Sequence, residues 1–390
     1  ADDRLADTAL VTIASGATLD LQGFADTVGS LALAGVLNGT GTLTAGTYAL
    51  DGALVNANLG IGTLVQHSGL SLLNGTAATE VVRVDGGTLR LGASDRLADT
   101  SAVAVGTGAT LDLQGYSDTV ASLALGGTLA GTGTLTAGTY TLDSATVGAN
   151  LGAGTLVQHS GTSFLSGSAA AEVVRVDGGT LRLGASDRLA DTAAVTVADG
   201  ATLALQGYGD TIGTLALAGT LSGTGTLSAG TYALDGATVG ANLSAGTLVQ
   251  RSGTSFLNGS AAAGNVRVDG GTLRLGASDR LADTAAVTVA NGATLALQGF
   301  SDTVGTLALA GTLAGTGTLT AGTYTLDSAT LDANLGAGTL IQRSGTSFLS
   351  GIAQAEPVRV AAGPLRLGAS DRLADTAAVT VANGATLALQ

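Results

Sequence analysis

The sequence predicts an all-β chain folded as a parallel β-helix, or β-solenoid, and three observations carry that expectation. One string, Asp-Arg-Leu-Ala-Asp-Thr, recurs with its arginine at positions 4, 96, 188, 280 and 372, so every interval is 92 residues. Apolar side chains alternate with polar ones at i and i+2, the period of a strand with one buried face. Clusters of Gly, Asn, Asp and Ser interrupt that alternation every few residues and turn the chain. Helix is disfavoured because Gly, Thr and Val are spread throughout and no long stretch carries a 3.6-residue period.

The elements follow in order through one unit. Val195 and Val197 form the first inward pair, and Ala198-Asp199-Gly200 turns the chain into Leu203 and Leu205. Leu215 with Leu217 and Tyr232 with Leu234 continue the alternation; Val266 with Val268 leads through Asp269-Gly270-Gly271 to Leu273 and Leu275. These signals give about eleven or twelve short strands per unit. Three strands per coil would make about four coils of roughly 23 residues in each repeat, stacked at about 4.8 Å into a rod about 80 Å long. Five coils of about 18 residues fit the period nearly as well. The expected organisation is one continuous solenoid over 1–390, with repeats 1–92, 93–184, 185–276 and 277–368 and a partial fifth at 369–390. Both ends cut across the repeat, so further units, and any export signal, are expected outside this segment. A sandwich or a propeller is the lesser alternative, since neither is built from 92-residue units.

Composition narrows the function. Of 390 residues, 45% are apolar and 11% charged, which places the chain far from intrinsic disorder. The net charge is −14, from 15 basic residues, all arginine, against 29 acidic ones, so the basic surface that nucleic-acid binding requires is missing. Apolar runs never approach the roughly 20 residues needed to span a bilayer as a helix, and 3% aromatic content is too little for the girdles of a membrane barrel. With no cysteine there is neither a disulfide framework nor thiolate chemistry.

Several stretches carry a resemblance. Arg280–Val289 followed by Gly292–Leu307 looks like the autotransporter-associated β-strand repeat, and Gly270–Gly276 is similar to the strand signature of the same family. Gly317–Leu326 with Ala333–Leu340 resembles filamentous-haemagglutinin-like surface proteins. The resemblance covers most of every unit. It implies a right-handed parallel β-helix belonging to a type V secreted protein, exported through an outer-membrane barrel to the surface of a Gram-negative cell.

His67 and His159 share a phase that Arg251 and Arg343 occupy in the third and fourth units, which argues for surface positions rather than catalysis or metal binding. Glu80, Glu172 and Glu356 share another phase, with Gly264 in the third unit, and no unit carries the unique carboxylate cluster of a glycosidase. Asp95 and Asp99 beside Arg96, together with Asp118 and Asp177, read as turn formers or local ion pairs, because no calcium-loop spacing is present. Gly131-Thr132-Gly133-Thr134 lacks the lysine of a phosphate loop, and strings such as Thr323-Tyr324-Thr325 do not recur at coil spacing as an ice-binding face would require. Pro357 and Pro364 should lie at turns or strand starts.

No catalytic, cofactor-binding or metal residues are therefore assigned, no cofactor is expected, and the chain is not expected to be an enzyme. The expected function is mechanical: an extracellular β-helical stalk of an adhesin-like surface protein. The alternative is a self-associating filament or matrix protein. Partners would be other copies of the chain, or host and neighbouring-cell surface molecules reached through parts beyond this segment, with no nucleic acid and no membrane insertion.

Overall fold

The computed structural model describes residues 2–389, which fold as a parallel β-solenoid of about 21 turns. Among the described residues there is no helix, and so none long and apolar enough to cross a membrane. The chain forms two compact units, Ala1–Ala193 and Ala194–Gln390.

The first unit opens with β1 (Leu10–Ile13), β2 (Thr18–Asp20), β3 (Asp26–Leu33), β4 (Val36–Asn38), β5 (Thr42–Asp51) and β6 (Leu54–Val55). It continues with β7 (Asn58–Leu59), β8 (Thr63–Ser68), β9 (Leu70–Leu73), β10 (Val81–Val84), β11 (Thr88–Leu91) and β12 (Ala102–Val105). β1, β3, β5, β8, β10 and β12 pair in succession as parallel strands of one sheet, here sheet A. β2, β4, β6, β9 and β11 do the same in sheet B. Each coil thus contributes one strand to each sheet, and β7 adds a short extra pairing to β5.

The register measures the coils. Leu10 pairs with Ser30, Ser30 with Thr47, Thr47 with Thr63, Thr63 with Val81 and Val81 with Ala102, which are steps of 20, 17, 16, 18 and 21 residues. In the second unit Ala194, Thr214, Thr231, Thr247, Asn265 and Ala286 take the same steps. Five coils, not about four, therefore separate equivalent positions. The eleven or so strands were legible in the sequence, but most coils carry two strands rather than three, and the division changes accordingly.

Aliphatic stacking fills the space between the sheets. Leu31, Tyr48, Leu64, Val82 and Val103 face inward in register, each at most 2% exposed. In sheet B, Leu89, Leu111, Leu129 and Val147 form a matching file, each at 0%. A fully buried side chain of this kind contributes about 1.5–3 kcal/mol relative to exposure. No coil can realise that gain alone, because its roof and floor are its neighbours. Polar groups in the interior serve the backbone. Gln66 donates from Nε2 to the Ser68 and Gly69 carbonyls at 2.6 and 3.2 Å, closing a corner from inside. The Ser71 hydroxyl accepts from the Ala53 amide of the preceding coil at 2.9 Å.

Tyr48, Tyr140, Tyr232 and Tyr324 are wholly buried where a ten-residue strand bends. In β5 the paired register omits Gly46, and the Tyr48 hydroxyl accepts from the Ala45 amide at 2.7 Å while donating to the Leu43 carbonyl at 3.0 Å. The phenol thereby supplies the partners that the bent backbone lacks. The corner glycines have an equally local cause: a Cβ on Gly133 would overlap the Tyr116 carbonyl oxygen of the coil beneath. Pro364 opens a strand and Pro357 immediately precedes one, as their missing amide hydrogens require.

Burial raises the four phenols above their ordinary pKa of 10, against the opposing effect of their backbone hydrogen bonds, and pushes Tyr324 up to about 12. A raised folded-state pKa means that unfolding favours ionisation above pH 10. The stability these residues provide is complete below pH 10 and is lost as pH rises through their raised folded-state values, about 12 for Tyr324. Absorbance titration of tyrosinate, run beside circular dichroism, is expected to show these four phenols ionising together with loss of β structure. Their ionisation near pH 10 with the fold intact would contradict this placement.

Candidate functional site

The histidine phase lies at the outer edge of sheet A. A register shift after Leu142 pairs Asp143 with Ser160 instead of His159, which gathers the three side chains at one strand end. The Ser160 hydroxyl donates to Asp143 Oδ1 at 2.7 Å, and His159 Nδ1 lies 3.0 Å from the same oxygen. First the serine hydroxyl and then the imidazole hold the Asp143 carboxyl below its usual range. The geometry is not that of a nucleophile and its base, because hydroxyl and imidazole share one acceptor and the serine is not bonded to the imidazole. Both the histidine and aspartate side chains are largely open to solvent.

In the second unit the same place carries arginine. Asp235 and Arg251 border a furrow of about 210 Å³ floored by Ala216, Leu217 and Ala233, and Asp327 with Arg343 borders an equivalent one of about 240 Å³. Arginine stays protonated and cannot replace histidine as a base. Glu80 stands at the rim of another furrow with Thr44, Gly46 and Ile61, and Glu356 accepts from the Thr376 hydroxyl. Among the described residues no three His, Asp or Glu side chains gather into a metal-binding group.

The Asp-Arg string has a more specific role than a local ion pair. Asp118 and Asp302 are buried, at 2% exposure, and reach back one coil. Asp302 Oδ2 accepts from the Arg280 and Leu281 amides at 2.8 and 3.1 Å, and its Oδ1 accepts from the Thr303 amide at 2.8 Å. Asp118 binds the Arg96, Leu97 and Thr119 amides in the same way. Desolvation raises both carboxyls in spite of these amides, and the neighbouring Asp95 and Asp279 add to the rise. Arg96 does not turn to Asp95 or Asp99. Its guanidinium donates to the Ser94 carbonyl at 3.0 Å and to the Asn74 carbonyl, one coil below, at 2.7 Å. Asp95 is a turn former, with φ of 56°. Asp177 pairs locally with Arg175 at 3.0 Å. The clasp was not legible as such, since a partner 22 residues away is adjacent only once the coil length is known.

The remaining motifs are architectural. Gly131, with φ of 106°, and Gly133 form a coil corner. Thr323 and Thr325 face outward around the buried Tyr324. Thr306, Thr323 and Thr339 do align over three successive coils, but Thr325 is flanked by Ala308 and Ile341, so paired threonines do not recur.

No protein-family model, curated protein or solved structure matches this chain. The solenoid fold that the resemblance implied is present in the structure.

The clasp makes a local prediction. Asp302→Ala removes three amide contacts and is expected to cost about 3 kcal/mol locally. Hydrogen exchange should quicken at the Arg280 and Leu281 amides while Arg96 and Leu97 stay protected. Unchanged protection at Arg280 and Leu281 would show that the carboxylate does not hold that corner.

Proposed function

We propose that this chain is a structural segment of an extracellular surface protein, the stalk of an adhesin-like molecule exported by a Gram-negative cell. The observation that carries the reading is the recurrence of the same five register steps in both units. Such an architecture scales in length by adding further five-coil repeats, and many of its outward groups recur along the chain instead of gathering in one place. A length-setting element needs a stable, soluble coil stack. The aliphatic interior supplies the first property, and a surface with net charge −14 and no lysine supplies the second by opposing nonspecific association. On this reading recognition by the whole molecule resides largely in parts beyond these residues, and the mechanism is continuity of the parallel ladders.

Two measurements test it. Immunogold labelling of producing cells is expected to place the chain outside the outer membrane, and label confined to the cytoplasm would refute the surface assignment. Sedimentation of the purified chain should give a monomer at all concentrations. Regular lateral arrays or polymers forming as concentration rises would replace the stalk with a self-associating filament.

A further inference from the structure

Three outward positions of sheet B change together along the array. In the first repeat Leu72, Arg90 and Asp112 are register neighbours on three successive coils. Arg90 Nε binds Asp112 Oδ2 at 2.9 Å, the carboxylate largely covered and the arginine side chain 37% exposed. Burial alone would raise Asp112, but the Gln114 amide and Arg90 outweigh it and hold the carboxyl below its ordinary value. In the second unit the corresponding neighbours are Phe256, Arg274 and Ala296, and then Phe348, Arg366 and Ala388. The carboxylate is gone and an aromatic ring has arrived on the other side of the arginine.

The consequence is visible at Arg274. Its guanidinium carbon lies 5.5 Å from the centroid of Phe256, a cation–π distance. Among the described residues no carboxylate comes within ion-pairing distance of Arg274, and it is exposed, as is Phe256 at 40%. Thr254 and Thr272 face outward two residues before the ring and the arginine, setting hydroxyls beside them. The Phe256–Arg274 ledge offers an apolar ring, an exposed guanidinium and flanking hydroxyls; at the next, an exposed Arg366 neighbours a half-buried Phe348, and Pro364 takes the place of Thr272. Five strand pairings separate Phe256 from Phe348, so the ledges of this unit stand about 24 Å apart.

We infer that the outer face of sheet B binds a sparsely carboxylated polysaccharide, with a pyranose ring on each phenylalanine and a uronate carboxylate on each arginine. Aromatic rings accept the C–H faces of sugars, and a planar guanidinium matches a carboxylate bidentately. Single-stranded nucleic acid also stacks and carries negative charge, but its phosphates recur far more closely than the ledges do, and the overall charge of −14 opposes a dense polyanion. A polymer with widely spaced carboxylates meets the ledges without that repulsion. The inference does not depend on the chain being a stalk.

The first repeat supplies the controls. Ala296→Asp with Ala388→Asp restores the Asp112 pattern beside Arg274 and Arg366; Phe256→Leu with Phe348→Leu restores that of Leu72. Affinity electrophoresis of the full chain through partly methyl-esterified polygalacturonate should retard the wild type. Either double variant should bind about tenfold more weakly, with unchanged circular dichroism and unfolding midpoint. The inference is overturned if the wild type is not retarded, or if a folded double variant is retarded equally. Equal retardation by the fully esterified polymer or by dextran, or stronger retardation by single-stranded DNA, would also overturn it.

Discussion

Everything in this structure depends on the parallel ladder between successive coils. A coil of 16 to 21 residues is too short to bury its own apolar side chains or to satisfy its own amides. Its neighbours provide both services at once: Tyr48 rests between Leu31 and Leu64, and the same pairing that stacks these residues joins their backbones. Several polar residues are admitted inside to serve bends, corners and breaks in the ladder. The tyrosine hydroxyls serve the bend in the long strand, Gln66 serves a corner, and Ser71 serves an amide that its coil's own strand does not reach.

The same constraint explains why the repeat contains several coils instead of one. The five steps differ in length, so each coil has its own corners, and the longest needs additional fastening. Asp118 and Asp302 fasten it by binding amides one coil back, while Arg96 reaches to the Asn74 carbonyl. The recurring Asp-Arg string is thus the signature of the longest coil. Outward positions are under much weaker constraint, and there the repeats diverge: histidine gives way to arginine, and an ion pair to an aromatic ledge.

Strand period, turn chemistry and parallel stacking were legible because alternation at i and i+2 and the 92-residue recurrence reflect the buried face directly. The coil count was not. Alternation reports which side chain faces inward but not how many strands complete a turn, and the two-sheet coil appears only with the register. Asp118 read as a turn former for the same reason, since its partners lie 22 and 21 residues away. The change from Leu72 and Asp112 to Phe164 and Ala204 stood in the aligned repeats, yet nothing in one dimension says that Arg90 sits between the two positions.

The most direct test of this account is the axial rise per repeat. With no native cysteine, nitroxide labels can be placed at the exposed, equivalent positions Thr47 and Thr139 of the first unit, which are separated by five coils. Pulsed electron spin resonance should give a single narrow distance near about 24 Å, from five coils at about 4.8 Å each. A distance near about 19 Å would require four coils, and a broad distribution would mean that the ladders do not hold the coils in register.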